Sequence, residues 1–356
     1  MAETSNRKTY HEQTYIDNTL RLREILKTLP PFAKDYFRAV EPTTSARTRI
    51  SYAYDIRIFF QFLISQNPSL AKIGIPNLNV SVLDQLKPID IEEYMEYLKL
   101  YDSPNDQTTI TNGERGLKRK ISSLRSFYTY YYKRQAIETN PVQLVDMPKI
   151  HDKAIIRLDA GETAALLDYI EHCGDQLTGQ RKAYYEKTKL RDLAIVTLLL
   201  GTGIRVSECV GLDVEDIDFR NNGIRLIRKG GSEMVVYFGP EVEKALKDYL
   251  ESRKAISPLE GHEHALFYST QRKRIGVQAV ENLVKKYARA ITTTKKITPH
   301  KLRSTYGTTL YQETGDIYLV ADVLGHKDVN TTKKHYAAMD DARRRKAATA
   351  IRLRED

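Results

Sequence analysis

The segment LRDLAIVTLLLGTGIRVSE, from Leu190 to Glu208, decides how the chain is read. From Leu193 to Leu200 every residue except Thr197 is apolar, so Leu190–Leu200 is expected to be a buried helix. Gly201-Thr202-Gly203 breaks it, and Arg205 to Gly211 reads as a new helical turn. Two short strand-like runs follow, Gly223–Arg228 and Met234–Phe238, with Lys229-Gly230-Gly231 between them as part of a hairpin turn. Helices are expected over Ala160–His172, Glu241–Ser252, Ala279–Ile291, His300–Tyr311 and Tyr318–Leu324, and the arginine-rich tail from Asp341 to Arg354 has helical propensity.

Upstream, the pattern is helical throughout. Residues 14 to 35 read as an opening helical segment broken at Pro30-Pro31. A stronger helix follows Thr43-Thr44-Ser45, with Ile50, Tyr54, Ile58, Phe59 and Phe62 spaced mainly by threes and fours and Arg47, Arg49 and Arg57 on the remainder. Pro88 opens a short helix over Ile89–Leu100, where its missing N–H costs little. Residues 101 to 107 read as a loop, and Thr108–Ala136 as mostly helical despite Gly113 and Gly116. That last helix sets Arg115, Lys118, Arg119, Lys120 and Arg125 beside Ile121, Leu124, Phe127, Tyr128 and Tyr131. Its basic face is either solvated or laid against phosphates. Prolines at 141 and 148 punctuate a stretch without periodicity. The expected organisation is an N-terminal helical domain over 1–145, a linker over 146–158 and a C-terminal domain over 159–356.

Composition narrows the partner. The formal net charge of +10 favours a polyanion, nucleic acid before an anionic membrane surface. No run of 18 apolar residues exists, and Met1-Ala2-Glu3-Thr4 opens no signal-peptide core, so a cytoplasmic protein is expected. The two cysteines, Cys173 and Cys209, suggest neither a disulfide scaffold nor a metal site. The 23 tyrosines, against 9 phenylalanines and no tryptophan, must mostly be packing residues with a polar tip, so no tyrosine is singled out by type alone.

Four separated motifs, taken in order, resemble the tyrosine recombinases, the family of Xer proteins and phage integrases. They are Thr202-Gly203-Ile204-Arg205-Val206-Ser207-Glu208 with Leu212; Lys229 between the two strands; His300-Lys301-Leu302-Arg303; and Leu324-Gly325-His326 with Tyr336 downstream. The N-terminal part resembles that family's core-binding domain more loosely, around Tyr54–Phe62 and Lys120–Tyr132. The resemblance implies a mainly α fold with a small antiparallel β-sheet: a SAM-like helical core-binding domain and a mixed α/β catalytic domain forming a C-shaped clamp on duplex DNA. It implies a tetramer on two duplexes, strand exchange through a four-way junction, and a tail from Asp341 onward able to dock into a neighbouring subunit.

The chemistry explains the residue types. Attack on a phosphodiester builds charge on its non-bridging oxygens, which Arg205 and Arg303 would clamp. The resemblance makes Tyr336 the nucleophile, Lys229 the acid for the 5′ oxygen, His300 and His326 the phosphate donors or proton movers, and Glu208 a support. A phosphotyrosyl ester replaces a phosphodiester, so no ATP, metal or other cofactor is implied. Arg47, Arg49, Lys118, Arg119 and Arg125 are the expected DNA-contacting residues. Two alternatives share the fold: a DNA-binding architectural protein, which the complete catalytic set argues against, and a type IB topoisomerase-like enzyme, which would relax supercoils without a cognate site. One departure stands out. In the usual family pattern the tyrosine lies nine residues after the second histidine, but here that position is His335 and Tyr336 is the tenth.

Overall fold

A computed structural model of the protein describes residues 9–102, 108–151, 155–228, 231–326, 328–330 and 332. The chain divides into two compact units, Met1–Asp152 and Lys153–Asp356.

In the first unit the helices are α1 (Tyr10–Leu26), α2 (Ala33–Ala39), α3 (Ala46–Gln66), α4 (Pro68–Ile73) and α5 (Pro88–Lys99). Strands β1 (Leu100–Asp102) and β2 (Thr109–Thr111) follow, then α6 (Glu114–Lys133) and α7 (Pro141–Leu144). Ser45 starts α3 where expected, its Oγ accepting from the Thr48 N–H. The start of the expected loop and the start of the expected helix are instead short strands that pair antiparallel, Leu100 opposite Thr111 and Asp102 opposite Thr109. The β-branched run Thr108-Thr109-Ile110-Thr111 prefers that pleated surface. Asn112 then bonds back to the Leu98 carbonyl (2.7 Å), and α6 begins after Gly113.

Leu117, Ile121, Leu124, Phe127, Tyr128 and Tyr131 of α6 are buried against a core containing Phe59, Phe60 and Tyr94. The tyrosines keep their polar tips bonded: Tyr36 Oη donates to Ser126 Oγ at 2.9 Å and Tyr131 Oη to the Phe32 carbonyl at 2.7 Å. Burial pushes the Tyr36 phenol up to about 12, so it remains a neutral packing group.

In the second unit come α8 (Ala160–His172), α9 (Gly179–Thr202), α10 (Val206–Gly211), β3 (Ile217–Asp218), β4 (Gly223–Ile227) and β5 (Glu233–Tyr237). They are followed by α11 (Pro240–Arg253), α12 (Val277–Ile291), α13 (Pro299–Thr314) and α14 (Ile317–Leu324). The apolar run that opened the reading is the C-terminal half of α9, which packs against α8, α11, α12 and α13. A buried knot fixes its middle: Arg191 pairs with Asp192 (2.6 Å) and donates to the Tyr268 carbonyl (3.0 Å), while Tyr287 Oη donates to Asp192 (3.0 Å). The sheet has the antiparallel order β3-β4-β5, one short strand more than the sequence suggests. Cys173 and Cys209 are buried free thiols, and among the described residues no helix is long and apolar enough to cross a membrane.

Candidate active site

The break after α9 builds the first wall of the site. Gly203 ends that helix in the left-handed region (φ 63°), where a Cβ would come within 2.3 Å of the Tyr306 ring. Only glycine serves there. The turn delivers Arg205 to the start of α10. Glu208, buried, accepts from both the Arg205 backbone N–H and its Nη1, each at 2.7 Å. The spacing of three that marked Glu208 as a support thus becomes a bidentate hold on Arg205.

The second wall is the C-terminus of α14. A helix leaves its last four carbonyls without intrahelical partners. Here the Gly325 N–H bonds to the Asp322 carbonyl (2.8 Å) and the His326 N–H to the Ala321 carbonyl (2.9 Å), with Gly325 left-handed at φ 60°. This is a Schellman closure, and it accounts for two of the four. Arginines take the others. Arg228 Nη2 donates to the Val323 carbonyl at 2.8 Å, and Arg303 Nη2 donates to that of Leu324. Arg205 Nη2 donates to the next carbonyl, Gly325, at 3.2 Å. Arg303, itself buried, also reaches the Gly203 carbonyl at 2.5 Å, so one guanidinium ties the two walls together.

Three guanidiniums therefore converge on three consecutive carbonyls, with Glu208 as the neighbouring anion. A helix C-terminus carries partial negative charge, which offsets their mutual repulsion. Burial holds the Arg228 guanidinium below its usual value, Arg205 adding to that effect and Glu208 opposing it. His326 follows directly, its Nδ1 2.7 Å from Oγ1 of the fully buried Thr332, a contact that orients the ring. His300 is exposed in the first turn of α13, three residues before Arg303 and so on the same side of the helix. Lys229, His335 and Tyr336 lie outside the described residues, as does the tail. Thr332 and Arg228 are site residues that the sequence did not single out; the only sign of Arg228 was its place beside Lys229.

Three of the basic residues of the first unit have partners inside that unit. Arg119 grips the buried Asp55 through both terminal nitrogens, Nη2 at 2.8 Å, and Ser123 Oγ adds a bond to the same carboxylate at 3.1 Å. Burial raises the Asp55 carboxyl above its usual range, Arg119 and Lys120 opposing that shift. Arg125 caps the carbonyls of Val142 (3.0 Å) and Val145 (2.9 Å). Arg49 is buried and paired with Glu41 at 2.6 Å. Arg119, Arg125 and Arg49 thus each hold an internal partner, and Arg119 stays exposed while doing so. Arg47 is exposed and Lys118 half-buried.

Arg119→Ala should destabilise the protein by about 1–2 kcal/mol, because it removes two charge-assisted bonds from a buried carboxylate that keeps, among the described residues, only Ser123. The denaturant midpoint reads this, and an unchanged midpoint would show that the pair carries no stability.

The Phage integrase family model matches residues 157–343. Tyrosine recombinase XerC of Caldanaerobacter subterraneus subsp. tengcongensis is 33% identical over 351 residues, covering 95% of this chain and 91% of that protein. Tyrosine recombinase XerS of Streptococcus equi subsp. zooepidemicus is 29% identical over 342 residues, covering 90% and 95%. Among solved structures, the Tn1549 transposon integrase in complex with transposon right end DNA has the same fold, with a TM-score of 0.62 at 20% identity over 89% of this chain and 98% of that one. With its arginines and His326 gathered on one helix end, the chain belongs to the phage integrase family and is a site-specific DNA recombinase of the tyrosine type.

Proposed function

We propose that this recombinase cuts and rejoins duplex DNA at a specific site through Tyr336. The observation that carries the reading is the convergence of Arg205 and Arg303, from two separate helices, on the turn that presents His326. The Tyr336 oxygen attacks the scissile phosphorus, the bond from phosphorus to the 5′ oxygen breaks, and a 3′-phosphotyrosyl ester forms. Lys229 gives the departing oxygen its proton, the tyrosine proton leaves by way of the histidines, and Arg205 and Arg303 hold the charge on the non-bridging oxygens. Glu208 keeps Arg205 in place. Bond energy is conserved, so a second 5′ hydroxyl can reverse the step. Both units engage the DNA, and four protomers exchange strands between two duplexes through a four-way junction. The setting is the cytoplasm. The task is chromosome dimer resolution or movement of a mobile element.

Mapping protected and cleaved DNA around the native gene and the chromosome terminus tests this. A discrete site at the terminus assigns dimer resolution, and one beside the gene assigns a mobile element. Relaxation of plasmids without any preferred site would overturn the reading in favour of a topoisomerase-like enzyme. For the N-terminal unit, neutralising Arg47 and Lys118 together should weaken binding and lower the log–log salt slope by up to about 2. An unchanged slope would mean that these two residues face away from the phosphates.

A further inference from the structure

Arg228 is the arginine of the described site that the proposed chemistry does not use. It belongs to the β4–β5 hairpin by its backbone: its N–H donates to the Ser232 carbonyl and its own carbonyl accepts from the Gly231 N–H, both at 2.9 Å. Its side chain belongs to α14. Nη2 holds the Val323 carbonyl at 2.8 Å, and Nη1 lies so close to Gly325 that a Cβ there would sit 1.2 Å from it. Nε is buried with no hydrogen-bond partner. A lysine or arginine serving only solubility would not bury an unpaired donor beside a second guanidinium. The arrangement exchanges solvation for rigidity at one place, the turn between α14 and His326.

We propose that Arg228 is a positioning residue of the recombination reaction: it ties the hairpin that continues into Lys229 to the Val323–Gly325 turn, and so fixes the placement of His326. This deepens the recombinase reading and rests on it. Arg228 acts through the turn and makes no contact of its own with the scissile phosphate. Gly325 is part of the same device, since its missing side chain is what lets the guanidinium lie against the backbone.

The test uses the full chain and a nicked DNA substrate that traps the covalent adduct, under single-turnover conditions. Arg228→Ala should slow adduct formation on the order of a hundredfold, the scale on which a misplacement of about 1 Å acts. DNA affinity should stay within about twofold of wild type. In a His326→Ala background the same substitution should cost no more than about twofold, because its effect passes through His326. A neutral methylphosphonate at the scissile position should not relieve Arg228→Ala, whereas a residue that clamps a non-bridging oxygen would be relieved. Independent losses in the double variant, relief by methylphosphonate, or a rate unchanged by Arg228→Ala would each overturn the proposal. Should Arg228→Ala fail to fold, Arg228→Gln serves, with the His326 ring-nitrogen resonances as a readout separate from catalysis. Those resonances should move in Arg228→Gln, and identical spectra would equally overturn the proposal. If wild type forms no adduct, it is the recombinase reading that fails, and the resonances still judge Arg228.

Discussion

A nicked suicide substrate, from which the short leaving strand diffuses away, is expected to trap the wild-type protein on its 3′ phosphate, and peptide mapping should place the adduct on Tyr336. Tyr336→Phe should keep its DNA affinity and form no adduct, while His335→Ala should still form one. The result is not trivial, because one residue too many separates His326 from Tyr336. On a rigid helix that extra residue would turn the side chain by about 100° and spoil an in-line attack. After His326 the chain takes a new turn, in which Asp328 accepts from the Asn330 N–H at 2.9 Å. Thr332 returns to His326 from within that new turn. An adduct on His335, or one that survives in Tyr336→Phe, would overturn the assignment of the nucleophile.

Lys229→Ala should slow cleavage of ordinary DNA by about 10² to 10⁴, the usual contribution of a general acid. Placing sulfur at the 5′-bridging position should restore most of that loss, since a thiolate leaves without a proton. Arg303→Ala should show far less rescue, because its proposed part is to hold charge on the non-bridging oxygens. The structure adds a condition. Arg303 is buried and bonds the carbonyls of Gly203 and Leu324, so its removal also strands two acceptors and loosens the junction of the two walls. Rates for Arg303→Ala must accordingly be read on protein shown to be folded by its thermal melt. Equal rescue in both variants would refute the division between leaving-group acid and phosphate clamp.

Much of this site was legible in the sequence because its parts are local. The apolar run to Leu200, the glycines after it and the spacing from Arg205 to Glu208 report on neighbours within one or two turns. The pairing of β4 with β5 shows through strand-like runs and the glycines between them. What could not be read is pairing across long separations. Arg119 pairs with Asp55, 64 residues earlier, and Arg125 bonds the carbonyls of Val142 and Val145, 17 and 20 residues later, which no local pattern announces. The first half of α9 escaped notice because Gly179–Lys187 is polar and lacks an apolar stripe; packing of Tyr185 and Thr188 recruits it to the helix. Strands of two or three residues, such as β1 and β3, carry too few alternations to register.

The three carbonyls at the end of α14 have a consequence for the timing of electrostatic work. Gathering like charges around a scissile phosphate costs electrostatic work, which would burden the reaction itself if it were done when the substrate arrives. Here the backbone already serves as the counter-ligand, so the cations are assembled once, while the chain folds. On the proposed reading, a phosphate that meets Arg205 and Arg303 finds them already gathered, and little rearrangement is left for the chemical step. Selection for fast strand cleavage therefore acts on the stability of the C-terminal unit. Substitutions that loosen the end of α14 should appear first as slow enzymes and only later as unstable ones.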